Sequence, residues 1–382
     1  MRKGLLITKH MAAAASLCLC FALFSFRGAA QTTYGGITLT GKLIWHSYTT
    51  YGFSGVQSWM ANFDTGTAYQ ITPGNVSGAM NYHFNQNGTE VVFMGSDNGY
   101  SNQAWDIWAA SVTPTGLANI TKITAGSTDG SRNEDPKYSS DGTTIIFKKN
   151  LDYIYSISRS SFTVNGTAQT PPEKQLLASS YETSMPYYLA GSDTNFVFTD
   201  NATSNSTIQY DNGGRVTTLY APSGLHAYYP MALNSTQFYF AQSDSAGHDQ
   251  IYLGNTSGST AAGAAFNVSS YEVADPYPMN PNWVAYASTR PGGTGSYDIW
   301  IGNFSTGVTY NLNDWLPGAN QTNSDLGPTF YGTVSTSGSG SNLALNKTAS
   351  ASSTLSGYPA SNANDGNTST SCCASSGSYP QW

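Results

Sequence analysis

The sequence predicts an all-β protein, a six-bladed propeller, from three observations. Five prolines each open a short aromatic stretch: Asp135-Pro136-Lys137-Tyr138, Met185-Pro186-Tyr187-Tyr188, Tyr229-Pro230-Met231, Asp275-Pro276-Tyr277 and Gly327-Pro328-Thr329-Phe330. These prolines lie 50, 44, 46 and 52 residues apart, which is the period of four-stranded sheets set radially around an axis. Between them run β-branched and aromatic segments bounded by turn residues, with no sustained 3.6-residue periodicity.

The strands can be justified in chain order. Each opening strand leads through a Gly- or Asn-containing turn into an apolar second strand: Thr89–Phe93, Thr143–Phe147, Asn195–Phe198, Gln237–Phe240 and Trp283–Tyr286. A polar hairpin then reaches a third strand that often begins with aspartate, as in Asp106-Ile107-Trp108, Asp152-Tyr153-Ile154, Asp249-Gln250-Ile251 and Asp298-Ile299-Trp300. Shorter outer strands close the units, such as Ile120–Thr124 and Val308–Leu312. The first unit supplies only Leu43–His46, Gln57–Met60 and Ala68–Thr72, so its innermost strand is expected from the far end, Pro328–Tyr331. That closure would remove two exposed sheet edges. A seventh blade would require further strands within residues 32–42.

Residues 1–30 read as a secretory signal peptide. Arg2, Lys3 and Lys9 precede an apolar run from Met11 to Phe24, and Gly28-Ala29-Ala30 supplies the small residues of a cleavage site before Gln31. The apolar run is short for a bilayer span of roughly 20 residues, so the expected location is secreted or periplasmic, with no membrane span. Four of the 15 Lys+Arg lie in this leader (Arg2, Lys3, Lys9, Arg27), which leaves 11 against 22 Asp+Glu. An acidic chain without a basic, aromatic-interleaved patch excludes nucleic acid as the expected partner. Beyond the leader only Cys372 and Cys373 remain, so no disulfide framework is expected.

The segment Asp135-Pro136-Lys137-Tyr138-Ser139-Ser140-Asp141-Gly142-Thr143, continued by Ile145-Ile146-Phe147 and Tyr153-Ile154-Tyr155, resembles the repeat of TolB-type, WD40-like propellers. The resemblance spans roughly residues 40–332 and implies a propeller domain over 31–332. Such relatives include periplasmic scaffolds, peptidase accessory domains and some polysaccharide lyases, so the fold leaves the activity open.

Residues 333–341 form a Gly/Ser/Thr-rich linker. Beyond it, Asn342-Leu343-Ala344-Leu345-Asn346-Lys347-Thr348-Ala349-Ser350 and Tyr358-Pro359-Ala360-Ser361-Asn362-Ala363-Asn364-Asp365-Gly366-Asn367-Thr368 resemble the opening of a discoidin (coagulation factor type C) module. That family is a β jelly roll that commonly binds carbohydrate. Residues 342–382 would be a truncated module, poorly packed because its first strands cannot close a jelly roll alone. The loop also departs from the family, with Ser371-Cys372-Cys373 where Arg-Trp is usual. The resemblance implies a structural Ca²⁺ held by Asp365 with help from Ala363, Asn367 and Thr370, because hard oxygen ligands suit that ion. The plainer reading of the loop is an Asp-Gly turn.

If the opening strands line the channel, the residues before each proline gather at one mouth. They are Arg132 and Glu134, Glu182, His226, Glu272 and Asp275, and Asp325 on the closing strand. Lyase chemistry on uronic acids needs a cation for the carboxylate and a base for the C5 proton, which makes Arg132 and His226 the candidate catalytic pair. Tyr187, Tyr188, Tyr228 and Tyr229 are candidates for stacking on sugar rings. The competing reading gives the charged groups to turns and inter-blade ion pairs. Asp106, Asp249 and Asp298 recur at one strand position and are expected to stabilise turns. His46, His83, His226 and His248 show no metal-binding spacing. No G-x-S-x-G elbow, P-loop or G-x-G-x-x-G is present. The expected function is recognition of an extracellular polysaccharide. The alternatives are a polysaccharide lyase or hydrolase at the channel mouth and a TolB-like protein-interaction scaffold.

Overall fold

A computed structural model describes residues 33–49, 55–99, 104–201, 205–336, 356 and 359–363. Six antiparallel sheets form the blades. Blade 2 runs outward through Ser77–Phe84, Glu90–Ser96, Asp106–Val112 and Leu117–Lys122. Blade 3 uses Asn133–Tyr138, Thr144–Lys149, Tyr153–Ser158 and Glu173–Ala178. Blade 4 uses Thr183–Tyr188, Asn195–Asp200, Thr207–Asn212 and Val216–Tyr220. Blade 5 uses Ala227–Ala232, Gln237–Ser243, Asp249–Asn255 and Ala262–Gly263. Blade 6 uses Val273–Pro278, Trp283–Ser288, Asp298–Asn303 and Thr309–Asn311.

Blade 1 closes the ring as the sequence predicts. Its innermost strand is the late segment Ser324–Thr336, which pairs along Ile37–Tyr48 from Ile37↔Thr336 to Tyr48↔Ser324. Gln57–Asn62 and Thr67–Gln70 complete the sheet outward, and Thr33–Tyr34 folds back on the start of Ile37–Tyr48. Chain ends joined in one sheet leave neither as an unpaired edge.

Each innermost strand carries the same irregularity. Asn81, Asp135, Met185, Tyr229, Asp275 and Gly327 have φ of 54°, 54°, 52°, 55°, 50° and 59°. The ladder loses register across each of them, as between Ser184 and Tyr187 or between Ala274 and Tyr277. These are β-bulges, and in five blades the next residue is proline. A proline has no N–H to give the ladder, so it is tolerated where the bulge has already interrupted pairing on the channel-side edge. The five non-glycine residues hold a backbone region that L-residues rarely adopt. Their repetition at one level shows that it is a property of the blade.

Apolar side chains alternate into six buried clusters that span neighbouring blades. Trp45, Trp105, Trp315, Tyr138, Tyr188 and Phe93 are among the largest fully buried side chains.

Candidate functional site

The bulge sets which residues face the channel mouth. Counting back from the bulge residue, the second residue is Ala79, Asn133, Thr183, Ala227, Val273 or Asp325, and each is at most 1% exposed. The first residue back is Met80, Glu134, Ser184 or Tyr228 in blades 2 to 5, and all four line one cavity. The third back is Arg132, Glu182 or His226 in blades 3 to 5, and these line it too. This is the two-residue alternation of a strand.

The cavity measures about 430 Å³ and sits at the mouth over blades 2 to 5, with the bulge residues Asn81, Asp135 and Met185 in its wall. A charged chain crosses it. Arg132 donates Nη2–H to Glu134 Oε1 at 2.7 Å and Nε–H at 3.1 Å. Lys148 Nζ lies 2.9 Å from Glu134 Oε2 and 2.8 Å from Glu182 Oε1. Lys148 stands directly across the strand pair from Glu134, where opposite charges attract. Burial pulls the Lys148 ammonium down, but the Glu134, Asp135 and Glu182 carboxylates outweigh it, and its pKa is raised. Backbone bonds fix the strand: Arg132 N–H donates to Asn150 Oδ1 at 3.1 Å, and Asn133 Nδ2 donates to the Trp105 carbonyl at 2.9 Å.

On the far side, His226 Nδ1 accepts the backbone N–H of Ser206 at 3.1 Å. The neutral ring therefore carries its proton on Nε2 and offers a donor there. Ser206 Oγ in turn donates to Asn201 Oδ1 at 2.6 Å. Tyr228 donates its phenol proton to Asp249 Oδ2. Burial and that carboxylate keep Tyr228 a phenol, and burial raises the Asp249 pKa. Asp249 N–H is itself held by Glu272 Oε2 at 2.6 Å.

At the bulge level, carboxylates stitch blades together. Asp135 accepts from Asn81 Nδ2 at 2.6 Å and from Met185 N–H at 3.2 Å. Asp275 accepts from Gly327 N–H at 3.0 Å, and burial raises its pKa to about 6. Lys137 is buried below, its Nζ 5.8 Å from the Tyr229 ring centre. Burial lowers its pKa against the pull of Asp135 and Asp275.

The sequence-derived candidates thus separate. Arg132, Glu134, Glu182, His226 and Tyr228 come together in the cavity. Glu272 and Asp275 lie nearby, behind the Tyr228 wall and in the channel. Tyr229 is buried in the channel, 8% exposed, under Lys137 rather than at the surface. Tyr188 is 1% exposed and packs against Phe196 between blades, so it cannot stack on a ligand. Tyr187 points to the opposite mouth. There His83 Nδ1 accepts the Tyr138 N–H at 3.1 Å, and Nε2–H donates to the Tyr187 hydroxyl at 2.8 Å. Burial and Lys137 keep His83 neutral, with its pKa lowered to about 3. Asp325 stands at the inward-packed second position, fully buried, taking the Gln321 N–H at 2.7 Å, and burial lifts its pKa to about 7. Asp365, Asn367 and Thr370 lie outside the described residues, and Ala363 ends the short turn Ala360–Ala363.

Several wall residues were not anticipated, among them Lys148, Asp135, Asn81 and Asn201. A signal for Lys148 exists in the repeat, because Thr199, Ala241 and Ala287 hold the same register position in other blades. A lysine there breaks the pattern. Asp106 and Asp298 do hold turns, accepting Ser127 N–H at 2.9 Å and Thr294 N–H at 2.7 Å. Asp249 does not, since its carboxylate backs the site. Among the described residues no group of three His, Cys, Asp or Glu could hold a metal ion, and no helix is long and apolar enough to cross a membrane.

No known family profile matches the sequence, and no curated protein aligns with it. The fold does have solved counterparts. TolB from Agrobacterium tumefaciens superposes with a TM-score of 0.50 at 13% identity, over 72% of this chain and 89% of its own. Hydrazine synthase from Kuenenia stuttgartiensis gives 0.53 at 12% identity over 76% of this chain, and only 46% of that enzyme's chain is covered. A chain of a nidogen/laminin complex gives 0.50 at 14% identity, covering 76% of this chain and 98% of its own. At such identities the likeness shows the fold alone, a six-bladed β-propeller.

Proposed function

We propose that this protein is a secreted glycan-recognition protein that binds an extracellular polysaccharide at the mouth formed by blades 2 to 5. The observation carrying this reading is the 430 Å³ cavity, whose wall mixes the Tyr228 ring with hydrogen-bonding groups from Asn81, Glu182, Asn201 and His226. A concave site with one aromatic face and converging donors and acceptors suits a hydroxyl-rich ring. The leader-like residues 1–30 and the discoidin-like stretch 342–382 support an exported glycan-handling role. The lyase alternative is weaker on two counts. Arg132 is already paired with Glu134, and His226 Nε2 bears a proton in the neutral ring, where a base would need a lone pair.

A glycan array followed by calorimetry on the purified protein tests this. Binding without turnover is expected. Release of unsaturated uronides, abolished in His226→Ala, would replace the binder with a lyase. Capture of envelope proteins with no glycan bound would favour a scaffold.

A further inference from the structure

The charges of the cavity narrow the ligand further, on the glycan-recognition reading. Five ionised side chains line it: the cations Arg132 and Lys148, and the carboxylates Glu134, Asp135 and Glu182. Both cations are engaged. Arg132 lies 2.7 Å from Glu134, and Lys148 lies 2.9 Å from Glu134 and 2.8 Å from Glu182. An incoming carboxylate would have to share Arg132, 39% exposed, with Glu134, while drawing Lys148 away would strand Glu134, whose side chain is only 8% exposed. Stranding a buried charge is costly.

The carboxylates are less fully neutralised. Asp135 takes its hydrogen bonds from neutral donors, Asn81 Nδ2 and the Met185 N–H, with Lys137 and Lys148 acting on it at longer range. Glu182 shares one oxygen with Lys148, and its side chain is 42% exposed. Behind the Tyr228 wall stand Asp249, whose carboxylate takes the Tyr228 phenol proton, and Glu272, whose carboxylate accepts the Asp249 N–H, and Asp275 adds its field to the same tyrosine. The mouth therefore carries an excess of negative charge beside an aromatic face, in a chain that is acidic as a whole.

We infer that this mouth selects a cationic glycan: a saccharide bearing free primary ammonium groups, seated with an ammonium against Glu182 and Asp135 and a ring against Tyr228. Ammonium groups are attracted both by the carboxylates and by the π-face of tyrosine. A uronate meets only occupied cations.

Calorimetry on the full chain at mildly acidic pH, where sugar amines are protonated, tests the inference. The probes are a glucosamine tetramer, its N-acetylated counterpart and a galacturonate tetramer. The amino tetramer is expected to bind at least about tenfold more tightly than the other two, with affinity falling as salt rises. Glu182→Gln should weaken it about fivefold while leaving the melting temperature nearly unchanged, since that side chain is half exposed. Preference for galacturonate, or equal binding of the N-acetylated tetramer, would overturn the cation selectivity and leave glycan recognition standing. Failure of these three and of a broad glycan array would overturn both. A lysine-rich peptide binding as tightly as the amino tetramer would overturn the assignment to a saccharide.

Discussion

Replacing Lys148 with methionine removes the charge that links Glu134 to Glu182, and burial fixes the size of the effect. The Lys148 side chain is 4% exposed and that of Glu134 is 8%. Methionine fills much of the space left by the lysine stem, so cavity formation is a minor part of the loss. The main cost is Glu134, left among the described residues with Arg132 as its ion-pair partner. Glu182, 42% exposed, returns to solvent at little cost. Breaking a buried pair from one side costs about 3–5 kcal/mol, and retention of Arg132 places this case near the lower end. At roughly 2–4 °C per kcal/mol for a large domain, the melting temperature should fall by roughly 6–12 °C in thermal scans at neutral pH. The comparison is Asp97→Asn, which breaks the 2.7 Å Lys122–Asp97 pair whose side chains are 14% and 31% exposed. An exposed pair contributes about 0–1 kcal/mol, so that variant should lose no more than about 4 °C. Adding Glu134→Gln to Lys148→Met should restore more than half of the loss, because no charge is left stranded. Equal melting of Lys148→Met and Asp97→Asn would refute the buried node, and with it the argument that the cavity's cations are already engaged.

Three further outcomes are expected. Gly327→Ala places a Cβ 2.6 Å from His46 Cε1 and 2.9 Å from Nδ1; it should cost about 1–3 kcal/mol by overpacking, and His46→Ala should relieve part of this in a double-mutant cycle. Asp325 has its folded pKa raised to about 7, so its contribution to stability is present at low pH and is lost as pH rises through that value. The melting temperature of Asp325→Asn relative to the parent should therefore climb between about pH 4 and 7 and level off above, and a flat difference across that range would contradict the burial argument. Tyr187→Phe strips His83 Nε2–H of its acceptor and should cost about 1–3 kcal/mol. It should leave ligand affinity at the Arg132 mouth unchanged, because Tyr187 faces the other one.

The fold was legible because the repeat lies in local chemistry. Proline after a bulge residue, an apolar second strand and a turn between them each follow from neighbours in sequence, so the repeating blade unit and the closing strand could be read directly. The site was legible in part. The residues before each proline do reach one mouth, but the sequence treated Asp325 as equivalent to Glu134. It stands one residue further from its bulge, and the two-residue period sends it into the blade. Tyr187 and Tyr188 show the same limit beyond the bulge, where one faces the far mouth and the other packs against Phe196.

By itself the sequence determined the all-β class, the repeating blade unit and the joining of the two ends in one sheet, since strand propensity and period are carried by adjacent residues, and the placing of Ile37–Tyr48 in blade 1 fixed the count at six. Only the tertiary structure decided which charges meet. Lys148 and Glu134 are 14 positions apart, and Glu182 belongs to the next blade. Their meeting depends on strand register and blade packing, and those settle whether a charge in this mouth is free to bind or already neutralised.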